Sequence, residues 1–396
     1  MRILELSWEY PPHVVGGVGS HVTALAPVLA RLGNSVNVVT PLMGGAPSEQ
    51  VDSLSVHRVE TAPWLDDLLR DVQRTNERMQ AFVNELQRQA APFDIIHAHD
   101  WLVSFCAITL KQRFKLPLLA TIHATERGRW RGYVGGDRSR QIADAEWRLT
   151  FEAWRVITPS QSMATELQNY FNLPANKLDV IPNGIDGKRF DLLDALDLSA
   201  FRARFAQPDE PIVFSVGRLT HEKGIHLLIE AVPGVLAAHP MTKFVIAGTG
   251  EMSDGLKARV AGLAIGENVE FAGYISDEER DRLYKVANCA VFPSLYEPFG
   301  IVALEAMAAK CPLVVASTGG LAEVVENHIT GITVYPDSAD SLADGIVHVL
   351  DHPDWAAERA QAAYELVGEK YNWTEIARQT LRVMQRVVAE RGKVDW

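Results

Sequence analysis

The 396-residue chain has only three cysteines, Cys106, Cys289 and Cys311, scattered and odd in number, so it carries no disulfide framework. No apolar run approaches the roughly 18 residues that crossing a bilayer requires, which excludes an integral helical membrane protein. The opening MRILELSW passes straight into a strand-like stretch and lacks the long apolar region of a signal peptide. A reducing, cytoplasmic setting is therefore expected. A basic surplus is missing too. The net charge is -12, with 20 basic and 20 acidic side chains in residues 1–190 and the remaining 18 and 30 in residues 191–396. Nucleic-acid binding needs a basic face, which neither half supplies, so no such partner is expected. Nor is GGVGSHV a dinucleotide fingerprint, because its third glycine would fall at Val22.

What is present is ordinary globular composition, 47% hydrophobic and 22% charged, in a chain long enough for two cores. The order strand, turn, helix, strand occurs twice. It runs through ILELSW, VVGGVG, HVTALAPVLARLG and SVNVVT, and again near residue 212 through PIVFSVG, RLTHEKG, IHLLIEAVPGVLAAH and KFVIAG. DIIHAH, LLATIHA, RVITPS and DVIPNG follow in the first half, and VEFAGY, CAVFPS, LVVAST and GITVYP in the second. Near-continuous apolar strands alternating with helices predict parallel sheets covered on both faces, hence two doubly wound α/β domains. The polar, acidic stretch 185–211 is the expected interdomain connection. A helix over 65–91 has one apolar face and five acidic against four basic residues, so it reads as core-facing; peripheral membrane contact is only weakly supported.

In open parallel sheets ligands bind beyond the carboxyl ends of the strands. The unusual residues fall at such ends: Gly16 and Gly17, His97 to Asp100, His123, Asn183, Arg218 and Lys223, Gly248, and Glu297. Domains whose strand ends face each other across a cleft would make a two-substrate enzyme. Arg218 and Lys223, five residues apart on a strand-to-helix loop, suit adjacent phosphates, and a pair of surface charges is the plainer reading. In EPFGIVALEAM, Pro298 and Gly300 flank a helix start, which offers the N–H groups of Phe299, Gly300 and Ile301 to an anion. Glu305 stands in an apolar segment, where a carboxylate requires a partner; a ribose diol or a nearby arginine would serve. HAHD places His97 and His99 on one side of a strand and Asp100 opposite, and no further ligand pattern completes a site, so no metal is expected. ERGRWRGYVGGDRSR, 126–140, interleaves five arginines with Trp130 and Tyr133 and reads either as a solvated loop or as a clamp for an anionic or sugar ligand.

Glu297 and Glu305 within EPFGIVALEA, followed by STGGLAEVV, resemble the retaining nucleotide-sugar glycosyltransferases of the GT-B fold, family 4. WEYPPHVVGGVGSHV, IHAHDW, TIHATERGR, VIPNGID and VGRLTHEKG extend the resemblance over essentially the whole chain, and the wording is glycogen synthase-like. One departure is Val14, where a neighbouring family of glycogen synthases has lysine before the glycine pair. The resemblance implies an acceptor-binding domain over 1–190, with a C-terminal helix of about 371–396 packing back on it, and a donor-binding domain over 191–370. It implies that Arg218 and Lys223 hold the donor diphosphate, Glu297 the transferred sugar and Glu305 the ribose, with Tyr274 bordering the base and His123 beside the sugar. Gly16, Gly17, Asn183, Gly248, Phe299, Gly300 and Ile301 would complete the donor side, and His99, Asp100, Trp101, Arg127 and Arg129 the acceptor side. No carboxylate nucleophile suits a double displacement, so the resemblance implies same-face substitution in which the departing phosphate deprotonates the incoming hydroxyl.

The expected substrates are an ADP-, UDP- or GDP-sugar, with glucose as the expected hexose, and a saccharide acceptor such as an α-glucan, with no separate cofactor. A lipid, a small metabolite or a sugar phosphate is the alternative acceptor. A nucleotide-sugar epimerase and a non-catalytic sugar-nucleotide sensor are the rivals. Oligomeric state is not encoded in any feature of the sequence.

Overall fold

The computed structural model describes residues 1–394, and the chain divides into two compact units. The first comprises Met1–Gly184 together with the chain from Trp373 onward; the second is Ile185–Asn372. The last two residues of the expected C-terminal helix lie outside the described residues.

The first unit holds an eight-stranded sheet: β1 (Arg2–Leu6), β2 (Ser35–Pro41), β3 (Ser48–Val51), β4 (Leu54–Val59), β5 (Ile95–His99), β6 (Leu118–Thr121), β7 (Arg155–Thr158) and β8 (Leu178–Val180). Its order is β3-β4-β2-β1-β5-β6-β7-β8, parallel throughout except for the β3–β4 pair. Chain order reverses between β1 and β5, so the loops after these strands open a crevice. Both faces are covered, which is why the strands read as apolar runs. Leu4 and Leu6 join Ile96 and Ala98 in one core, while Ile3, Val36 and Val38 join the helices Gly17–Arg31 and Trp373–Arg391 in the other. Ile376, Ala377, Met384 and Val387 of the last helix bury against Val22, Leu25 and Leu29 of the first.

Two features differ from expectation. Strands β3 and β4 were not anticipated, because SEQV is exposed and LSVHRV carries a histidine and an arginine in place of a pure apolar run. Arg58 of β4 nonetheless buries, its guanidinium donating to the carbonyl of Ala46 at 2.9 Å. Stretch 185–211 is not a bare connection either. Ile185, Phe190, Phe201 and Ala206 are core residues of the second unit, packed with Phe214 and Tyr284. The expected helix over 65–91 runs Leu68–Gln89, capped by the Asp67 carboxylate accepting from Arg70 N, with Val72, Met79 and Val83 buried. Among the described residues no helix is long and apolar enough to cross a membrane.

The second unit's sheet comprises β9 (Ile212–Val216), β10 (Lys243–Ala247), β11 (Val269–Gly273), β12 (Cys289–Phe292), β13 (Leu313–Ala316) and β14 (Ile332–Val334), all six anticipated. Its order, β11-β10-β9-β12-β13-β14, is the doubly wound pattern in which the second half of the chain crosses to the far side of its first strand. The reversal falls between β9 and β12. Arg218 and Lys223 follow the first of these strands and Glu297 the second.

Candidate functional site

At the second unit's reversal the loops are bound to one another through backbone. Leu295 N donates to the carbonyl of Glu222 at 2.8 Å, and Gly320 N to the carbonyl of Glu297 at 2.8 Å. Gly248, with φ +125°, presses so close that a Cβ there would lie 1.9 Å from the Gly217 carbonyl oxygen, so only glycine fits. Within this frame Lys223 Nζ donates to Glu297 Oε2 at 2.7 Å, and the Ser294 hydroxyl donates to the same oxygen at 3.3 Å. Glu297 is buried, whereas Arg218 is half exposed, and among the described residues its ion pair is a 3.3 Å contact to Glu222, four residues on. A buried acid, a lysine that neutralises it and a loosely tethered guanidinium thus share one strand-end corner.

Helix Ile301–Ala308 begins at Gly300, whose φ of +101° and contact with Leu321 again require glycine. Its first N–H groups have no intrahelical acceptor, as at any helix start. Phe299 is buried in the core, edge-on to Tyr371, so only its backbone can meet a ligand. Tyr274, just beyond β11, is 84% exposed.

Glu305, for which a ribose diol or a nearby arginine was the expected partner, has protein partners. Its Oε1 accepts from Arg189 Nη2 at 2.9 Å and lies 3.3 Å from Arg280 Nη2, and Oε2 accepts from the Tyr284 hydroxyl at 3.3 Å. Asp281 sits 3.0 Å from Arg189 Nε and 3.3 Å from Arg280 Nη2, so two acids and two guanidinia alternate. Burial pushes the Asp281 carboxyl up to about 6 against the pull of Arg189 and Arg280, and burial together with Glu305 raises the Tyr284 phenol well above its usual range. The arginine reading of Glu305 is the one the geometry supports.

The first unit's reversal gathers a histidine array. Glu5 of β1 stands beside His97 in register, and its Oε2 accepts from His99 Nε2 at 2.9 Å and lies 2.9 Å from His97 Nδ1. His99 Nδ1 is 3.2 Å from His123 Nε2, and His97 Nε2 is 2.7 Å from the Thr121 hydroxyl. His21 Nδ1 pairs with Asn183 Oδ1 at 2.7 Å. Asn183, expected on the donor side, is therefore occupied within the first unit. The sequence offered His97 and His99 no companions, yet folding brings Glu5, His21 and His123 to them, with ligand-type atoms within 4.8 Å in the sets His21–His99–His123 and Glu5–His97–His99. Hydrogen bonds to protein partners already engage His21, His97, His99 and His123.

Asp100 begins the loop after β5 with φ +58°, and its Oδ1 accepts from His123 N at 2.7 Å. Burial, partly countered by the His123 N–H, pushes its carboxyl up to about 7. Trp101, expected on the acceptor side, is buried against Val72, Ile142 and Ala145. Arg129 has its nearest carboxylate, Glu126, at 3.9 Å, and Arg127 Nε is buried without a hydrogen-bond partner among the described residues. Gly16 caps helix Gly17–Arg31 in extended conformation, and open space surrounds the place a side chain would take. Sequence reasoning missed Glu9, whose Oε2 accepts from Val15 N at 2.9 Å and Gly16 N at 3.0 Å and so holds the glycine turn. An acid seven residues before a glycine pair was the available signal.

Acid should unfold this unit. Burial lowers His21 to about 3 and His99 to about 4, and drives His123 well below its ordinary value. The unfolded chain takes up protons near pH 6.5 while folded His21, His99 and His123 refuse them, so their contribution to stability is full above pH 6.5 and is lost as pH drops towards 3. At pH 5, His21 and His99 should each cost about 2 kcal/mol. Glu5, held at about 2 because its imidazole neighbours outweigh burial, adds a further loss between pH 4.5 and 2. Asp100, raised to about 7, takes up its proton in the folded state over the same range and returns part of this loss, so calorimetry from pH 7 to 5 should show a net fall in Tm smaller than the histidines alone would give; a Tm that rises would contradict neutral burial of His21, His99 and His123.

Two doubly wound units with candidate site residues gathered at their strand-order reversals are the GT-B architecture. The comparisons are consistent with this in both halves: the family described as Glycosyltransferase Family 4 matches residues 15–189, and Glycosyl transferases group 1 matches residues 199–366. The chain is 38% identical to an uncharacterized glycosyltransferase of Methanocaldococcus jannaschii, covering 99% of this chain and 100% of that one. It is 36% identical to the glycogen synthase of Mycobacterium tuberculosis, covering 99% and 96%. The solved sucrose-phosphate synthase of Thermosynechococcus elongatus superposes with a TM-score of 0.85 at 25% identity, covering 98% and 99%. The chain belongs to the group 1 glycosyltransferases of family 4, and glycosyl transfer is its chemistry.

Proposed function

We propose that the protein moves a hexose, glucose by preference, from a nucleoside-diphosphate sugar to a saccharide acceptor, with retention at the anomeric carbon. The observation that carries this reading is the Lys223–Glu297 pair with half-exposed Arg218 at the β9/β12 reversal. A diphosphate arriving there meets two cations, one of which already neutralises an acid suited to sugar hydroxyls. As the bond from the anomeric carbon to the phosphate oxygen breaks, Arg218 and Lys223 stabilise the charge growing on the diphosphate. The acceptor oxygen bonds to the anomeric carbon from the same face, and its proton ends on the released nucleoside diphosphate. Glu297 orients the sugar, and His123 lies beside it. The glycogen synthase relative favours an α-glucan acceptor.

A phosphorylated acceptor is the second reading. Arg127 Nε lacks a partner among the described residues and Arg129 holds its carboxylate only at 3.9 Å, so both guanidinia can turn to an anion. The sucrose-phosphate synthase relative is likewise named for a phosphorylated sugar.

Incubation with radiolabelled ADP-, UDP- and GDP-glucose, with maltooligosaccharide or glucose phosphate and without acceptor, tests both. Acceptor-dependent nucleotide release with an α-configured product is expected. A β-configured product would refute retention, isomerised donor without transfer would support an epimerase, and binding without turnover a sensor.

A further inference from the structure

The proposed transfer uses only the outer end of the buried array in the first unit. His123 keeps 9% of its surface exposed, whereas Glu5, His97 and His99 have none. A carboxylate two residues deep in β1, desolvated and tied to two imidazoles, is costly unless its charge is used. Its effect is to dictate hydrogen positions. An ionised carboxylate only accepts, so His99 must present Nε2–H to Glu5 Oε2. Neutral His99 then carries its lone pair on Nδ1, which faces His123 Nε2 at 3.2 Å and can only accept there. His123 must therefore hold its proton on Nε2, and its Nδ1 is left bare.

We propose that Glu5, acting through His99, locks His123 into the Nε2–H tautomer, so that His123 meets a hydroxyl of the bound sugar as a hydrogen-bond acceptor. The inference rests on the reading that His123 lies beside the sugar. Glu5 and His99 are positioning residues: neither touches substrate. Asp100 completes the arrangement by fixing the His123 backbone through its N–H at 2.7 Å, so backbone and ring are held by separate groups. The low value of Glu5, about 2, and the suppressed protonation of His99 and His123 keep the polarity of the relay constant over the neutral range.

The test is long-range proton–nitrogen NMR on full-length protein labelled with nitrogen-15 histidine, combined with kinetics. The wild-type spectrum should show His123 with protonated Nε2 and unprotonated Nδ1; the opposite tautomer overturns the proposal with no variant needed. Glu5→Gln is isosteric but can either donate to or accept from His99, so both tautomers of His123 should appear. With the acceptor orientation lost in part of the population, kcat should fall about tenfold, the worth of one hydrogen bond, while donor KM stays within about twofold. Thr121→Val disturbs only the His97 end and should leave the His123 tautomer unchanged. An unaltered His123 spectrum in Glu5→Gln overturns the relay. A shifted tautomer with unchanged turnover leaves the relay standing and overturns instead the placement of His123 beside the sugar.

Discussion

Lys223→Ala is expected to lower turnover roughly 10²- to 10³-fold, the loss seen when one preorganised donor is removed from a developing anion. Lys223 has two partners over the proposed cycle. Without ligand its ammonium is tied to Glu297 at 2.7 Å; with donor bound it faces a diphosphate whose leaving oxygen gains charge as the glycosidic bond breaks. Removing it also leaves the Glu297 carboxylate, among the described residues, with the Ser294 hydroxyl alone, and a buried acid without its cation is destabilising. The two effects separate in the double variant Lys223→Met with Glu297→Gln, where no buried charge remains. Its thermal stability should return close to wild type while turnover stays collapsed. Arg218→Ala should cause a comparable kinetic loss with little change in Tm, because its side chain is half exposed and, among the described residues, bonded to Glu222 alone at 3.3 Å. Turnover within tenfold of wild type in either single variant would refute the leaving-group role.

The sheets were legible because strands buried on both faces must be apolar almost throughout. CAVF, LVVA and KFVIA announce themselves, and all six strands of the second unit were anticipated. SEQV and LSVHRV did not, since an edge hairpin tolerates polar side chains and its buried Arg58 finds backbone acceptors that no pattern displays. Site residues were legible as far as strand ends are. Arg218, Lys223 and Glu297 were read as strand-end residues, and the reversal between β9 and β12 gathers them at one corner. Partnership was not legible: His21 reaches Asn183 across 162 positions and Glu5 reaches His99 across 94, so spacing holds no trace of either. Glu5 was hidden by a further circumstance. In RILEL it looks like the solvent-facing member of an alternating strand, and only a helix on that face turns it inward.

Glu305 is where the two readings of one acid diverge most, and Glu305→Ala should cost the second unit about 3–5 kcal/mol. The carboxylate is the negative centre of a network in which Arg189, Arg280 and the Tyr284 hydroxyl converge on it, and helix Ile301–Ala308 is apolar around it. Without it, Asp281 alone faces two guanidinia, and Arg280, largely desolvated, loses the neighbour that chiefly offsets its burial. For a domain of this size that loss corresponds to a Tm lower by something of the order of 10 °C. Glu305→Gln should cost less, because an amide oxygen still accepts from the arginines. If Glu305 served the ribose alone, the unliganded protein would lose nothing on mutation and donor KM would rise. A carboxylate has about four acceptor positions, so a diol can share it with the arginines, but only if Arg189 and Arg280 keep it in place. The network then comes first and any ligand contact depends on it. Arg280→Met combined with Glu305→Leu, which removes one charge of each sign, should recover much of the stability lost in Glu305→Ala. An unchanged Tm in Glu305→Ala together with a weakened donor KM would return Glu305 to the ligand and leave the arginine cluster without a structural role.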